Sequence, residues 1–423
     1  MEKTDRELSG WVIVAVATLA LVVSNGLAIG GLPPFYKPIR EEFVALGVVE
    51  TTRAESFIAN SANITFLMSG VFSLLGGWLI TRFRLRPMMI LGCILLGGGL
   101  VLHALAYDAE TVYLARFLMG ASLGFIGVAP CVVLVSRWFE EKRGTAIGIL
   151  LTGTSFGGFL IPLVAAPLIA NYGWRNAMLA TSSLVWIVLL PAIVFFVRSP
   201  HVSKGSSQSR GALTNVRSSD TIDGATLRQA LSTPLFWMLA ACAALIFYPI
   251  FFTTQQFVLS LQSSKIGVSA QTAAVTQSAL FAMSLGGKFL AGFLSDRFNA
   301  LRVFVVCAFV MFLASTVLLM LTANNFLLFL LPFALGYGGT FVVLQRLVAD
   351  FFGRREAGKI LGLITLIEVA GAAIGGRITG YLADKNGGDY TNAFYGVAIA
   401  ACCAFLATLA VYFLQSRKNV SAG

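Results

Sequence analysis

GWLITRFR at residues 77–84 and GFLSDRFN at 292–299 are one phrase written twice, 215 residues apart. Each closes a long apolar run. A second pair keeps the register: SRWFEEKRGTAIG at 136–148 answers ADFFGRREAGKILG at 349–362, with one extra residue. GWRNA at 173–177 falls where GDYTNA falls at 388–393. Self-similarity of this kind is read before local motifs, because it fixes the plan of the whole chain. The plan here is two similar halves in parallel register.

Working outward from the repeat, the chain around it is too apolar for water. It is 57% hydrophobic and 12% charged, whereas a soluble domain carries about 25% charged residues. The surplus apolar surface must face lipid. A bilayer core needs roughly 20 apolar residues as helix. Spans are predicted near 11–32, 56–81, 88–107, 111–136, 145–170 and 175–197, then near 235–258, 271–295, 301–322, 325–350, 358–383 and 392–414. Unpaired backbone is not tolerated in lipid, so open sheets are excluded, and unbroken runs of this length exclude a barrel. The first span is not a secretory signal: its apolar run is too long, and MEKTDRELSG carries both charge signs. The expected fold is all-α integral membrane, twelve transmembrane helices in two pseudo-symmetric six-helix bundles. Residues 1–197 and 232–423 form the bundles. Residues 198–231, rich in Ser, Thr and Gly, form a flexible linker with short helical pieces.

Lysine and arginine set the orientation. With the N-terminus inside, 20 of them fall in cytoplasmic segments and 6 in outer loops. Both termini are therefore predicted to be cytoplasmic, in a cell (inner or plasma) membrane. The net charge of +11 then marks topology and contact with anionic lipid. No basic patch with interleaved aromatics lies outside the spans, so nucleic acid is not an expected partner. The six cysteines lie in apolar runs without CxxC spacing and read as packing residues. A monomer is the working expectation.

These residues resemble the major facilitator superfamily. Its loop between spans two and three usually reads G-x-L-x-D-R-x-G-R. The first copy here has Gly77, Thr81, Arg82, Phe83 and Arg84, with Thr in place of the acid; the second keeps the acid as Asp296, with Arg297. The resemblance implies a conformational latch built on Arg82, Asp296 and Arg297. Arg116 and Gly120 match the family's R-x-x-x-G in span four. Gly148, Gly153, Gly157, Gly158 and Pro162 match its Gly-Pro pattern in span five, where small residues allow close helix approach. TPLFW (233–237), RWFEEKRGTAIG (137–148) and GGKFLAGFLSDR (286–297) look like the monocarboxylate transporter and oxalate:formate antiporter branch. That branch commonly has arginine where this chain has Lys288, four residues before Gly292. Lysine keeps the charge but loses the bidentate fork. The position that is lysine in oxalate carriers is Glu368 here. The reversed charge argues for a monoanion with a proton over a dianion.

Ionisable groups inside lipid are costly and are functional candidates by default. They are Arg116, Lys288, Arg346, Arg377 and one acid, Glu368. Arg346 lies close enough to the inner end to snorkel and reads as structural. Arg377 shares a helix face with Asp384 and reads as an outer-end pair. Arg116 either binds substrate or braces the first half. Lys288 and Glu368 differ in depth by roughly 5 Å at 1.5 Å per residue. Two readings follow: Glu368 is a proton-coupling carboxylate, or it forms a static ion pair with Lys288. Softer candidates for substrate binding are Asn25 and Tyr337, Tyr248 and Gln255, seven residues apart on one face of span seven, and Ser284, which lies with Gln277 on the Lys288 face. His103 is given no role.

The leading function is a secondary active transporter working by alternating access. It would carry a small organic anion such as a monocarboxylate, coupled to a proton or another ion. The alternative is a proton-antiport exporter of amphipathic drugs or metabolites. A membrane sensor would want a large soluble output domain. An enzyme reading finds no P-loop, no Ser-His-Asp set, no zinc spacing and no cofactor motif. The expected partners are a small-molecule substrate, a coupling ion and membrane lipid.

Overall fold

The computed structural model describes residues 2–79, 83–136, 138–139, 143–197, 224–353 and 356–421. Helix dominates them. The first half contributes α1 (Gly10–Ala45), α2 (Ala54–Leu79), α3 (Leu85–Ala104) and α4 (Ala109–Val135). A continuous helical stretch then divides at Gly173 into α5 (143–172) and α6 (174–196). The second half contributes α7 (Pro234–Leu261), α8 (Ala270–Arg297), α9 (Ala300–Met320), α10 (Phe326–Phe352), α11 (Ala357–Lys385) and α12 (Thr391–Ser421). Gly173 has φ 76° and ψ 162°, a conformation that a side chain resists, and this reverses the chain within one residue. Most of the linker expected at 198–231 lies outside the described residues. Its end holds a short helix, Leu227–Leu231, closed by a Thr226–Gln229 capping box.

Helix starts follow their capping residues. Asp108 accepts the Thr111 N–H at 2.7 Å to open α4. Thr233 precedes Pro234 at the head of α7, and Ser269 caps α8. The first span departs from expectation. A loop was expected after residue 32, yet Pro33–Ala45 is helical. Pro33 and Pro34 stand in its first turn, where no backbone donor is missed. Between the two parts of α1 lies a π-helical segment, Gly26–Gly30. The matching helix of the second half, α7, has its own at Phe252–Gln256. Such segments shift side-chain register by about one residue and cluster at functional sites.

With an even number of spans, both termini lie at one end of the bundle, here the terminal end; the other is the distal end. The halves meet mainly along two seams, α2 against α11 and α5 against α8. These pairings exchange under the repeat, as pseudo-symmetry requires. Within the first half, the distal end is stapled by Arg175. Its guanidinium donates to Glu42 at 3.0 and 2.7 Å and to the Ala104 carbonyl at 2.7 Å, joining α6 to α1 and α3.

Candidate functional site

A cavity of about 680 Å³ lies between the halves. It runs from Asn25, Gly30 and Thr254 at mid-depth to Gly148 and Gln345 near the terminal end. Its wall is mostly apolar, with Phe66 from the first half and Phe247, Phe281 and Phe341 from the second. Among the described residues, Lys288 is the one charged residue that lines it. The Lys288 ammonium donates to Ser155 Oγ at 2.9 Å across the α5–α8 seam. It also sits 5.3 Å from the centroid of the Phe341 ring. No carboxylate among the described residues pairs with it within 4.0 Å. An ammonium has three donors, and one neutral hydroxyl leaves it free to take an anion.

The distal end is closed. Among the described residues, every hydrogen bond between the halves lies at the depth of Lys288 or on the distal side of it. Tyr36 donates to Gln255 Oε1 at 2.7 Å, and Gln255 Nε2 reaches the Ile29 carbonyl at 3.3 Å. Asn63 Nδ2 donates to the Ala373 carbonyl at 3.0 Å. Beyond them, Asp384 accepts the backbone N–H groups of Glu55 and Ser56 at 2.8 and 3.0 Å. Among the described residues, the cavity is thus sealed from the distal end and extends toward the terminal one.

The predicted site residues divide. Asn25, Lys288 and Tyr337 line the cavity. Tyr248 does not: its hydroxyl meets Thr379 Oγ1 at 3.1 Å, against α11. Gln255 lies in the distal seal instead. Tyr248 and Gln255 were expected on one helix face, but the π segment at Phe252–Gln256 turns the second away from the first. Ser284 is buried and bonds its own helix at the Phe281 carbonyl, 2.9 Å away. Gln277 Nε2 donates to the Thr254 carbonyl at 2.8 Å.

Arg116 is fully buried and outside the cavity lining. Its guanidinium carbon lies 5.2 Å from the centroid of the Tyr36 ring, and Nε and Nη1 have no hydrogen-bond partner. Glu368 is buried at 5% exposure. It stands on the stretch of α11 between α2 and α7, where Val369 meets Gly70 and Gly371 meets Ala244. Lys288 and Glu368 form no ion pair, so the static-pair reading fails: α8 packs on α5 and α10, and α11 on α2 and α7. Arg377 is exposed and forms no pair with Asp384, which caps α2 instead.

Of the expected latch, Arg82 lies outside the described residues. Asp296 accepts from Arg346, which also reaches Asp350 at 3.5 Å and Ser295 Oγ at 3.0 Å. Arg297 is not part of this set; its guanidinium lies 4.3 Å from the Phe293 ring centroid.

Residue spacing did not point to Ser155, Phe281 or Phe341, since serine and phenylalanine are common in any lipid-facing helix. The one available signal was the glycine pair Gly157–Gly158. A Cβ on Gly158 would lie 2.5 Å from the Phe281 ring, so that glycine makes room for a cavity residue of the other half.

The sequence profile described as Major Facilitator Superfamily matches residues 14–265 and 251–422, nearly the whole chain. The chain belongs to the Major Facilitator Superfamily. Within this superfamily it resembles the monocarboxylate branch. Monocarboxylate transporter 13 of Rattus norvegicus is 28% identical over 429 residues, covering 96% of this chain and 90% of that one. MFS transporter asaE of Aspergillus flavus is 27% identical over 336 residues, covering 78% and 72%. The Agnestins efflux protein AgnL12 of Paecilomyces divaricatus is 24% identical over 351 residues, covering 80% and 76%. In fold, the chain is similar to the D-xylose-proton symporter, with TM-score 0.72 at 15% identity over 95% and 97% of the two chains. It is equally similar to a bacterial homolog of the human lysosomal transporter Spinster, in an inward-facing and unoccupied conformation. That TM-score is 0.73 at 17% identity over 97% of both chains. The protein is a multi-pass integral membrane protein of a transporter superfamily.

Proposed function

We propose that this transporter carries a small organic anion, such as a monocarboxylate, together with a proton. The observation that carries the reading is Lys288: among the described residues, the one charged residue on a largely apolar cavity wall, held by a neutral hydroxyl and an aromatic face. A carboxylate entering the cavity replaces Ser155 as acceptor, and a charge-assisted bond is about twice as strong as a neutral one. The apolar wall takes the rest of the solute. The resemblance to monocarboxylate transporters agrees with this pairing of one cation with apolar surface.

The excess of Lys and Arg at the terminal end assigns that end to the cytoplasm, with both termini. On that assignment we read the state as inward-facing. Alternating access proceeds by rocking residues 1–197 against 232–423 about the cavity. Glu368, buried and paired with no cation among the described residues, is the carboxyl assigned to the proton. A carboxyl changes its protonation when burial or a nearby charge changes, and helix rearrangement supplies both. Asp296 with Arg346 is assigned to the latch at the cytoplasmic end.

The test is uptake of labelled lactate or pyruvate into proteoliposomes under an imposed pH gradient. Uptake driven by acid outside is expected, and lost with Lys288→Gln. A second reading, proton-antiport export of amphipathic compounds, draws on the aromatic wall and on the efflux protein among the relatives. It would show instead as gradient-driven movement of such compounds with no response to lactate or pyruvate.

A further inference from the structure

Glu55 is a buried carboxylate that the cavity does not use. It is 4% exposed and stands in the first turn of α2, at the distal end. Three other elements converge on it. Arg40 of α1, from its own half, pairs with Oε1. Tyr390, at the start of α12 in the other half, donates its hydroxyl to Oε2. Asp384, ending α11, binds the Glu55 backbone N–H at 2.8 Å. Glu41 approaches Arg40 from its far side at 3.8 Å. Arg40, Glu41, Asp384 and Tyr390 are the charged and titratable groups that face Glu55 from neighbouring elements. Beside them a distal vestibule of about 800 Å³, lined by Ser56, Asn60, Tyr381 and Asp384, meets the cluster at Asp384.

Parting the halves at this end changes what Glu55 touches. Tyr390 and Asp384 leave with the second half, while Arg40 stays. The carboxylate then meets distal water and can take a proton from it. Reclosing over a neutral Glu55 would leave Arg40 with only the more distant, exposed Glu41 as counter-charge, and removing one partner of a pair held this way is unfavourable. We propose that Glu55 is a proton site of the distal gate: a proton taken up from that side holds the gate open, and its release lets the gate close. This builds on the alternating-access cycle above but on neither its solute nor Glu368.

The experiment is a spin-label distance measurement on the full-length protein in lipid nanodiscs, with no solute added. Native cysteines are replaced by serine, and labels are placed through Glu110→Cys and Tyr395→Cys, exposed positions at the distal ends of opposite halves. Acidification from about pH 8 to about pH 5, across the range where a buried carboxyl can titrate, should raise the ratio of long to short distances at least ~fivefold, the low end of a usual coupling. Glu55→Gln should raise the long distance at every pH and flatten the response. Tyr390→Phe should raise it while keeping the response. An unchanged pH curve in Glu55→Gln, or one abolished by Glu368→Gln instead, overturns the proposal. If Glu55→Gln yields no folded protein, Arg40→Gln should move the pH of the transition; an unmoved transition overturns it equally.

Discussion

The Tyr36 hydroxyl donates to Gln255 Oε1 at 2.7 Å, tying the two halves together directly over the buried guanidinium of Arg116. Tyr36→Phe removes this bond and leaves the amide oxygen unsatisfied. A buried acceptor left so costs about 1–3 kcal/mol. The cost falls on the distally closed state, since the open state exposes Gln255 to water. The variant should therefore favour distal opening about 5- to 150-fold, measured as labelling of cysteines in the distal seam by a membrane-impermeant reagent. Labelling equal to that of the parent would show that the bond carries no closing energy.

Among the described residues, Lys288 has Ser155 as its one hydrogen-bonding partner. Lys288→Gln should weaken binding of a small carboxylate by about tenfold or more, the worth of a hydrogen bond to a charged group (~1.5–3 kcal/mol). Ser155→Ala, which removes the competitor, should tighten it. Calorimetric titration with lactate checks both signs. Equal affinity in all three proteins would mean the anion binds elsewhere.

Among the described residues, no cation pairs with Glu368 within 4.0 Å. Glu368→Gln cannot release a proton, so exchange of labelled solute for unlabelled solute should persist while accumulation driven by a pH gradient is lost. Accumulation at the parental level would remove Glu368 from the coupling scheme.

Gly158→Ala places a methyl where the Phe281 ring now sits, 2.5 Å from the ideal Cβ. The ring has to shift along the α5–α8 seam, at a cost of about 1–3 kcal/mol for overpacking. A lower thermal midpoint in detergent and a changed apparent affinity are both expected, because Phe281 also lines the cavity. Gly148, which has open space at its Cβ position, is the matched control and should tolerate alanine.

Asp389, in the turn before α12, responds to pH in a fixed direction. Partial burial pulls its carboxyl upward, but bonds from Thr391 and Lys265 outweigh that and hold it below the usual carboxylate range. A depressed value means stability present above the unfolded value, about 3.9, and lost as pH falls through the folded one. The site is partly exposed, so the contribution is at most ~1 kcal/mol. The gap in thermal midpoint between the parent and Asp389→Asn should stay constant from about pH 5 to pH 8 and close below about pH 4. A gap that grows on acidification would contradict this sign.

Hydropathy and the repeated phrases made the spans and the two halves legible, because lipid imposes length and polarity on every helix that crosses it. Depth was legible too: Lys288 and Glu368 do sit well inside their helices. Azimuth was not. Counting 1.5 Å per residue gives height but says nothing of which helices are neighbours, and α8 and α11 turn to different partners. The π segment at Phe252–Gln256 likewise broke the seven-residue spacing that placed Tyr248 with Gln255. The distal network of Arg40, Glu55, Asp384 and Tyr390 was illegible for another reason. Its members lie at helix ends, where charge is ordinary, and only the fold brings four segments to one point.

Arg175 holds α1, α3 and α6 together where their ends would otherwise fray. A bundle stapled there does not loosen strand by strand when a seal beside it is pulled. Its half of the seal lets go as a unit or not at all. Intermediate shapes with both mouths ajar are thereby made scarce, and those are the shapes through which ions would leak and run down the gradient that drives the solute.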